Sequence, residues 1–522
     1  MRLGELVSAL EGVGELPGPW RQREVTDLVQ DSRRASPGAV FVAVRGYHSD
    51  GHQFIPQAVR QGAAAVVAEE NAPVDAYTDV LVIRVPDSRR ALARLAARFY
   101  DHPSRRLALA GITGTNGKTT TSYLVKSIVE AAGHTAGLIG TIDYRIGETV
   151  YPAPNTTPES LDLQKLLAEM AGRGAQYCVM EVSSHALALG RTDGCEFRAA
   201  AFTNLTQDHL DFHGTMEAYF QAKLLLFAGL APDAVAVVNR DDARADDIIA
   251  NTRARVITFG FSDKADVRPA GPVGHGLGGL NFTAATPSGA VTIASPLVGR
   301  HNISNILTAA GIGLALGFSR EAIAAGIRNM KAVPGRMEMI NEGQTFGVVV
   351  DYAHTEDALV RLLEAVREVA SKRVITVFGC GGDRDRTKRP KMGAAAVRGS
   401  DVVIVTSDNP RNEDPLVIIG EIENGMAAGG VRLSTPHAAA AGGGVPYLVI
   451  PDRAEAIAAA VSLAAPGDIV VLAGKGHEDY QIVGEVKHHF DDREKARAAI
   501  VQRSAECGVP PIDAFEGRRN AG

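Results

Sequence analysis

The stretch LALAGITGTNGKTTT, residues 107–121, joins an apolar run of strand length to a glycine-bearing loop and then to a helical pattern. Beyond it Leu124, Val125, Ile128, Val129 and Ala132 recur at helical spacing, and Gly133 supplies a stop. Gly114 and Gly117 let backbone N–H groups wrap a phosphate chain, and the positive end of the new helix points at that charge. In such a loop Lys118 reaches the β- and γ-phosphates, and the Thr119 hydroxyl ligates Mg²⁺. One departure from a strict phosphate loop stands at Ile112, where glycine is usual; the shorter G-x-x-G-K-T core is intact. A glycine-rich turn that holds no ligand is the alternative.

The same punctuation recurs along the chain. Tyr177–Met180 stops before EVSSH, Ala199–Phe202 before TNLTQDH, Val235–Val238 before NRDD and Val348–Val350 before DYAHT. Val374–Phe378 stops before GCGGDRD, Val402–Val405 before TSDNPR and Ile469–Ala473 before GKGHE. Continuous apolar runs indicate strands buried on both faces, as in parallel sheets. Ligands of such sheets bind beyond the carboxyl ends of the strands. Segments 321–331 and 454–464 between the runs have helical patterns. The fold class is therefore α/β, with two α/β domains behind a smaller mixed one. At 522 residues three domains are expected. They span 1–100, 101–335 and 336–505, with a frayed tail at 506–522 and a flexible low-complexity loop at Ala438–Gly444.

Composition excludes several classes. A net charge of −6 over this length gives no general attraction to nucleic acid. No window is apolar enough for a membrane span, and the opening MRLGELVSALEGVG is acidic where a signal peptide would not be. Cys178, Cys195, Cys380 and Cys507 form no C-x-x-C pair, and the first and third read as buried free thiols. A cytoplasmic monomer acting on small molecules is expected.

Other residues carry chemistry by position. Glu181 ends the run YCVM and is placed either to hold Mg²⁺ beside the loop or to sit solvated at a strand tip. Lys223, in MEAYFQAKLLLF, shares a helix face with Phe220 and Phe227, which suits a snorkelling lysine. The alternation of Asp211 and His213 reads as a simple turn. GKGH at 474–477 is not a second phosphate loop, since Gly476 follows Lys475.

GTNGKTTT resembles the ATP loop of the Mur ligases, which add amino acids to the peptidoglycan precursor. The resemblance runs from DSRRASPGAVFVAVRG (31–46) to GKGHEDYQ (474–481) and FDDRE (490–494), and is closest to the members that add diaminopimelate. It implies a nucleotide-sugar-binding N-terminal domain, a central ATPase domain with a mostly parallel sheet, and a Rossmann-like C-terminal domain. It implies ATP contacts at Gly114, Thr115, Asn116, Gly117, Lys118, Thr119, Thr120, Asn239, His301, Asn302, Arg336 and Asp351. Thr119, Glu181 and His209 match metal ligands, and Lys223 matches a lysine carrying a CO₂-derived carbamate. Ser32, His48, Asn155, Thr156, Thr157, Ser183 and Arg191 match contacts to the UDP-muramoyl peptide. Arg384, Asp408, Asn409, Pro410, Arg411, Gly474 and Glu478 match diaminopimelate contacts. Two positions depart from the family pattern: Leu189 stands where glutamine is frequent, and Glu356 replaces a proline, for which a small loop change is expected. Plainer readings stay open: a DSR turn for Ser32, an interdomain ion pair for Arg336, and a surface salt-bridge cluster for the residues around Arg411.

The implied activity is phosphoryl transfer from ATP to a substrate carboxylate, followed by attack of an amine on the acyl-phosphate. Diaminopimelate carries a second amino-acid head, which an arginine fork can hold by its carboxylate, with Asp408 and Glu478 taking the ammonium. Alternatives are a lysine-adding or folate-type glutamate ligase, a phosphate-loop kinase, and a nucleotide-binding protein that ligates nothing.

Overall fold

The protein is described from a computed structural model that covers residues 1–46, 49–73, 77, 79–276, 279–330, 333–435 and 444–506. His48, most of the low-complexity loop (438–443) and the tail beyond 506 lie outside the described residues. Contacts divide the chain into two compact units. One comprises Met1–Pro272, Phe282–Ala294 and Ser304–Met330; the other comprises Val273–Asn281, Ser295–Ile303 and the described residues from 333 onward.

The first unit contains two sheets. Strands Asp27–Val29, Ala39–Val42, Ala65–Glu69 and Leu81–Val85 form a parallel four-stranded sheet. Helix Ser88–Phe99 covers it, capped by Asp87, whose side chain accepts from Arg89 N and Arg90 N. Leu161 of helix Ser160–Gly172 packs into the same core, and Arg90–Asp193 (2.9 Å) and Arg105–Glu196 (2.7 Å) tie the segments together. The domain boundary expected at residue 101 is a tight turn: Asp101 and His102 both adopt left-handed φ (57° and 46°), and Pro103 opens a 3-10 turn.

The larger sheet of this unit has eight strands. Its order is Arg255–Phe259, Val235–Asn239, Ala199–Phe202, Ala108–Thr113, Tyr177–Glu181, Ala136–Ile139, Asp143–Ile146 and Thr149–Pro152. The first six are parallel and the last two fold back antiparallel. Residues 109–113 of the central strand are all buried, as its uninterrupted apolar run requires. The register sets Ile112 against Glu181 and Thr113 against Phe202. The three loops that follow these strands therefore begin at one edge. Helix Lys118–Ala131 leaves the first of them and ends at Ala132, with Gly133 left-handed (φ 85°) at the stop.

The second unit holds a seven-stranded sheet. Its order is Glu338–Met339, Gly347–Asp351, Ile469–Ala473, Val374–Phe378, Val402–Val405, Val445–Val449 and Gly430–Arg432, all parallel except the first pair. Apolar clusters lie on both faces. Asp351 pairs with Ala473 and Phe378 with Val405, so the DYAHT, GKGHE, GCGGDRD and TSDNPR loops also open at one end. Two expectations are corrected here. Glu356 is not in a loop but is the first residue of helix Glu356–Val369, after the Thr355 cap. An acid in a first helical turn complements the helix dipole, and proline also fits that position, so either residue starts the same helix. In the first unit Asp211 and His213 belong not to a simple turn but to a short helix, Leu210–His213.

Helix Arg320–Asn329 lies directly on the phosphate-loop helix. A Cβ at Gly326 would stand 2.4 Å from Ile128 Cα, while Gly420, in helix Pro415–Met426, has open space around it. Gly326→Ala is expected to destabilise the protein by about 1–3 kcal/mol through forced separation of the two helices. Gly420→Ala should instead be neutral or stabilising by up to about 1 kcal/mol, as helix propensity dictates. Urea titration of both variants checks this, and equal effects would contradict the packing argument.

Candidate functional site

The loop after strand Ala108–Thr113 is held from one side by the segment Thr203–Thr206. Thr115 N donates to Asn204 O (2.9 Å), Asn116 N to Asn204 Oδ1 (2.9 Å), and Thr203 Oγ1 to Asn116 O (2.6 Å). Thr115 Oγ1 donates to Thr206 O (3.1 Å). A side chain at Gly114 could not exist here, because its Cβ would lie 1.9 Å from Thr203 Oγ1. Gly117 is left-handed (φ 86°) and starts the helix. The Lys118 ammonium donates to Gly114 O (3.0 Å) and Thr115 O (2.8 Å), curled over its own loop. Ile112 is buried in the strand, so the missing glycine does not prevent the loop from forming.

Glu181 is fully buried, which removes the solvated reading. Its Oε2 accepts from Thr119 Oγ1 (3.0 Å) and Thr141 Oγ1 (3.0 Å), and its Oε1 from Thr141 N (3.0 Å). The hydroxyl and carboxylate required for a hard cation are therefore in contact, and oxygen donors suit Mg²⁺. Among the described residues no group of three or more His, Cys, Asp or Glu is arranged to hold a metal, so phosphate and water oxygens would have to complete the shell.

His209 sits in a left-handed turn (φ 53°) with its Nε2 3.4 Å from Asp208 and its ring 4.8 Å from that of His185. Burial, with smaller contributions from the Lys118 and Lys223 charges, pushes the imidazole below its usual range. Neutral imidazole is the ligating form. His213 Nε2 lies 3.0 Å from Ser184 Oγ.

Lys223 does not snorkel. Its side chain is buried, its Nζ donates to Gly114 O (3.0 Å), and it stands 4.3 Å from the centroid of the Tyr219 ring. Burial, and then the Lys118 charge, hold the amine well below the ordinary lysine range. That favours the neutral form, the one that reacts with CO₂.

The NTTP segment also meets Glu181. Thr156 Oγ1 lies 3.1 Å from Thr141 Oγ1, and Thr157 Oγ1 donates to Glu181 O (2.9 Å). Asn155 O accepts from Tyr144 OH (2.5 Å). Ser183 caps helix Ser184–Ala188 and receives Thr157 at 3.4 Å. Arg191 donates to Thr157 O (3.0 Å) and pairs with Glu159 (2.6 Å), while its buried Nε has no hydrogen-bond partner among the described residues. Ser32 lies in the DSR turn, with Asp31 accepting from Arg33 N, and itself donates to Gln57 Oε1 (3.0 Å). Asn239 is engaged at both ends, donating to Thr203 O (2.7 Å) and accepting from Asp241 N (3.0 Å).

In the second unit Arg336 stacks on Tyr352, 4.9 Å from its centroid, and no ion pair to it occurs among the described residues. Asp351 accepts from Met337 N and Ala353 N (2.8 Å each), and burial lifts its carboxyl. His301 begins helix His301–Ala315, and Asn302 Nδ2 donates to Val298 O (2.7 Å).

The DNPR and GKGHE loops form a buried cluster, not a surface salt-bridge network. Asp408, Asn409 and Lys475 are all buried. Asn409 Nδ2 donates to Glu478 Oε2 (2.9 Å). Arg411, left-handed at φ 52°, donates to Gly382 O (2.8 Å), and Pro410 precedes it. A Cβ at Gly381 would lie 3.0 Å from Arg411 and 3.8 Å from Arg384, so the two arginines flank one glycine. A Cβ at Gly474 would lie 2.6 Å from Asp408 Oδ2.

Several residues escaped the sequence reading. Thr141 bridges Glu181 and Thr156, and nothing in TIDY advertises it. Thr203, Asn204 and Thr206 brace the loop, although their proximity to His209 in TNLTQDH was a usable signal. Lys475 was visible only as a lysine in the wrong motif.

Family models match in three stretches: "Mur ligase family, catalytic domain" at 24–100, "Mur ligase middle domain" at 112–313, and "Mur ligase, glutamate ligase domain" at 335–476. The chain is 48% identical to a UDP-N-acetylmuramoyl-L-alanyl-D-glutamate–2,6-diaminopimelate ligase of Geobacillus thermodenitrificans, covering 94% of this chain and 99% of that protein. A protein of the same name from Solibacter usitatus is 47% identical, covering 96% and 98%. A solved structure titled with that ligase name aligns at TM-score 0.70 with 34% identity, covering 96% of this chain and 99% of that one.

Two tests address the loop. Thr141→Val should raise the Mg²⁺ concentration for half-maximal ATP turnover roughly tenfold or more, as loss of a ligand's supporting hydrogen bond does; Thr141→Ser should restore it. A Val variant with unchanged metal dependence would dissociate Thr141 from the acid. Secondly, the unfolded chain protonates Lys223 at pH values where the fold keeps it neutral. Stability should therefore rise with pH between the depressed folded value and the ordinary lysine value, and be independent of this group outside that window. Lys223→Met should flatten that slope in denaturant titrations; an unchanged slope would refute the burial argument.

Proposed function

The chain belongs to the Mur ligase family, and on that premise we propose that it joins meso-diaminopimelate to UDP-N-acetylmuramoyl-L-alanyl-D-glutamate at the expense of ATP. The D-glutamyl side-chain carboxylate attacks the γ-phosphorus, the bond to the ADP oxygen breaks, and an acyl-phosphate forms. The amine of diaminopimelate then attacks the acyl carbon, phosphate leaves, and the amine proton is lost as the amide forms. Lys118, the loop N–H groups and the helix N-terminus stabilise charge on the transferring phosphoryl group. Mg²⁺ bound at Thr119 and Glu181 would supply further neutralisation of the phosphates. Neutral His209 is suited to a second metal position, and Lys223 to a carbamate that adds negative charge beside the loop.

Thr157 reaches the Glu181 carbonyl, Thr156 reaches the Thr141 hydroxyl that also meets the Glu181 carboxylate, and Ser183 and Arg191 both reach Thr157, which suits binding of the acceptor peptide near the phosphoryl group. Substrate and nucleotide supply their own nucleophiles, so positioning is the main task left to the protein. The setting proposed is cytoplasmic precursor synthesis.

The observation that carries the choice of amino acid is the composition of the DNPR–GKGHE cluster. Arg384 and Arg411 flank one glycine, while Asp408 and Glu478 stand around Lys475. Paired opposite charges match a zwitterionic head, which diaminopimelate has at its far end and lysine does not. The nucleotide-sugar-type N-terminal segment favours a muramoyl acceptor over a folate.

The experiment is incubation with the UDP-muramoyl dipeptide, ATP, Mg²⁺ and a panel of amino acids, following phosphate release and product mass. An amide product with meso-diaminopimelate, and more than about tenfold less with lysine, is expected from loss of a charge partner to the half-buried Arg411. Equal rates with lysine would defeat the arginine argument, and nucleotide binding without any new amide would defeat the ligase reading.

A further inference from the structure

Lys475 is the charged member of the second unit's DNPR–GKGHE cluster to which the proposed reaction gives no part. Its side chain is 0% exposed, beside Asp408 at 8% and Glu478 at 14%. Nζ lies 3.5 Å from Asp408 Oδ1, 3.1 Å from Asn409 Oδ1 and 3.6 Å from Glu478 Oε2. Asn409 is fixed in turn, its Oδ1 accepting from Ile482 N (3.0 Å) and its Nδ2 donating to Glu478. The two carboxylates assigned to a ligand ammonium thus already face an ammonium of the protein's own.

We propose that Lys475 is a positioning residue of the amino-acid pocket, keeping Asp408 and Glu478 both ionised so that the pocket presents a fixed single negative charge to one ligand ammonium. This rests on the reading that the second unit binds the incoming amino acid. Two close carboxylates in a buried site do not both ionise readily unless a cation stands with them. Burial and then the Asp408 charge lift the Glu478 carboxyl, and Lys475 acts against both.

The other charged or titratable neighbours do not replace it. Arg453 is matched by Asp492 in a fully buried pair (2.6 Å). Arg336 stacks on Tyr352. Arg411 donates to backbone carbonyls. Tyr352, Tyr480 and Cys380, which also feel this cluster, are all raised by burial and stay neutral. Without Lys475 the two acids would face one another with no cation between them, and the pocket's charge would then depend on pH.

The test uses the full enzyme with Lys475→Met, close in length but uncharged, and Lys475→Arg, which keeps the charge. KM for diaminopimelate, KM for ATP and kcat are measured from about pH 6 to about pH 9, where one pKa unit is tenfold. The ratio of the Met variant's amino-acid KM to the wild-type value should fall by up to ~tenfold as pH rises, with KM for ATP little changed. The Arg variant should keep the wild-type pH profile. Thermal melting without substrate gives a second readout. In the Met variant one carboxyl of the pair has a folded pKa above its unfolded value, so its stabilisation is present at low pH and lost as pH rises through the folded value. The melting difference from wild type should therefore widen with pH. A constant difference and a pH-independent KM ratio would overturn the proposal, as would equal losses for ATP and amino acid. If wild type makes no diaminopimelate product, the functional reading falls, and the melting comparison alone decides the role of Lys475.

Discussion

A carboxylate taken out of water must be met by donors, and the first unit is arranged to meet one. Glu181 ends its strand fully buried, and its two oxygens accept from Thr119 on the phosphate-loop helix and from the backbone and hydroxyl of Thr141. The donors come from two places, the phosphate-loop helix and the turn after strand Ala136–Ile139. The arrangement works only because the parallel register aligns those two places at one edge of the sheet. A one-residue slip would turn Glu181 to the other face and leave a buried charge without partners, a cost of several kcal/mol. The register of the sheet and the chemistry of the loop are thus one constraint.

The second unit answers the same difficulty with opposite charges. Arg453 and Asp492 form a sealed pair, while Arg389 meets Glu413 (2.8 Å) and Glu421 (2.7 Å) and also donates to Gly381 O (3.2 Å), bracing the loop that carries Arg384. Glu413 in turn accepts from Asp383 N, whose left-handed φ of 52° makes the loop's turn. Buried ion pairs add little net stability, but removal of one partner is costly, so they hold a geometry firmly. That firmness falls at the loops that carry Arg384 and Arg411.

Much of this was legible from apolar runs that stop abruptly. All eight runs are strands in parallel sheets, because a strand buried on both faces has no room for polar alternation. The stop at Gly133 and the nucleotide loop were likewise local signals. What escaped was set by distant partners. Thr141 is an ordinary residue in sequence and becomes important only when Ile139, two positions earlier, pairs with Met180 beside Glu181. Lys223 was assigned to the right helix face, yet snorkelling was the wrong local physics. Tyr219 and Gly114 O offer its amine a buried seat that no helix pattern displays. Glu356 looked like a loop change because proline and glutamate differ in every property except their fitness for a first helical turn.

The two sites differ in what they must hold, and their internal charges differ accordingly. The nucleotide loop has to receive several negative charges, so it keeps two lysines close together, at Lys118 and Lys223, and both point at the Gly114 carbonyl. Repulsion between them, added to burial, depresses Lys223, leaving one cation for the phosphates and one amine free to be neutral. The cluster proposed for the amino acid would receive a ligand whose charges cancel, and it mixes cations and anions within a few ångströms. Under the proposed roles, charge balance would be settled before any ligand arrives, by Lys223 in one unit and Lys475 in the other. Binding there need not wait for a proton to come or go.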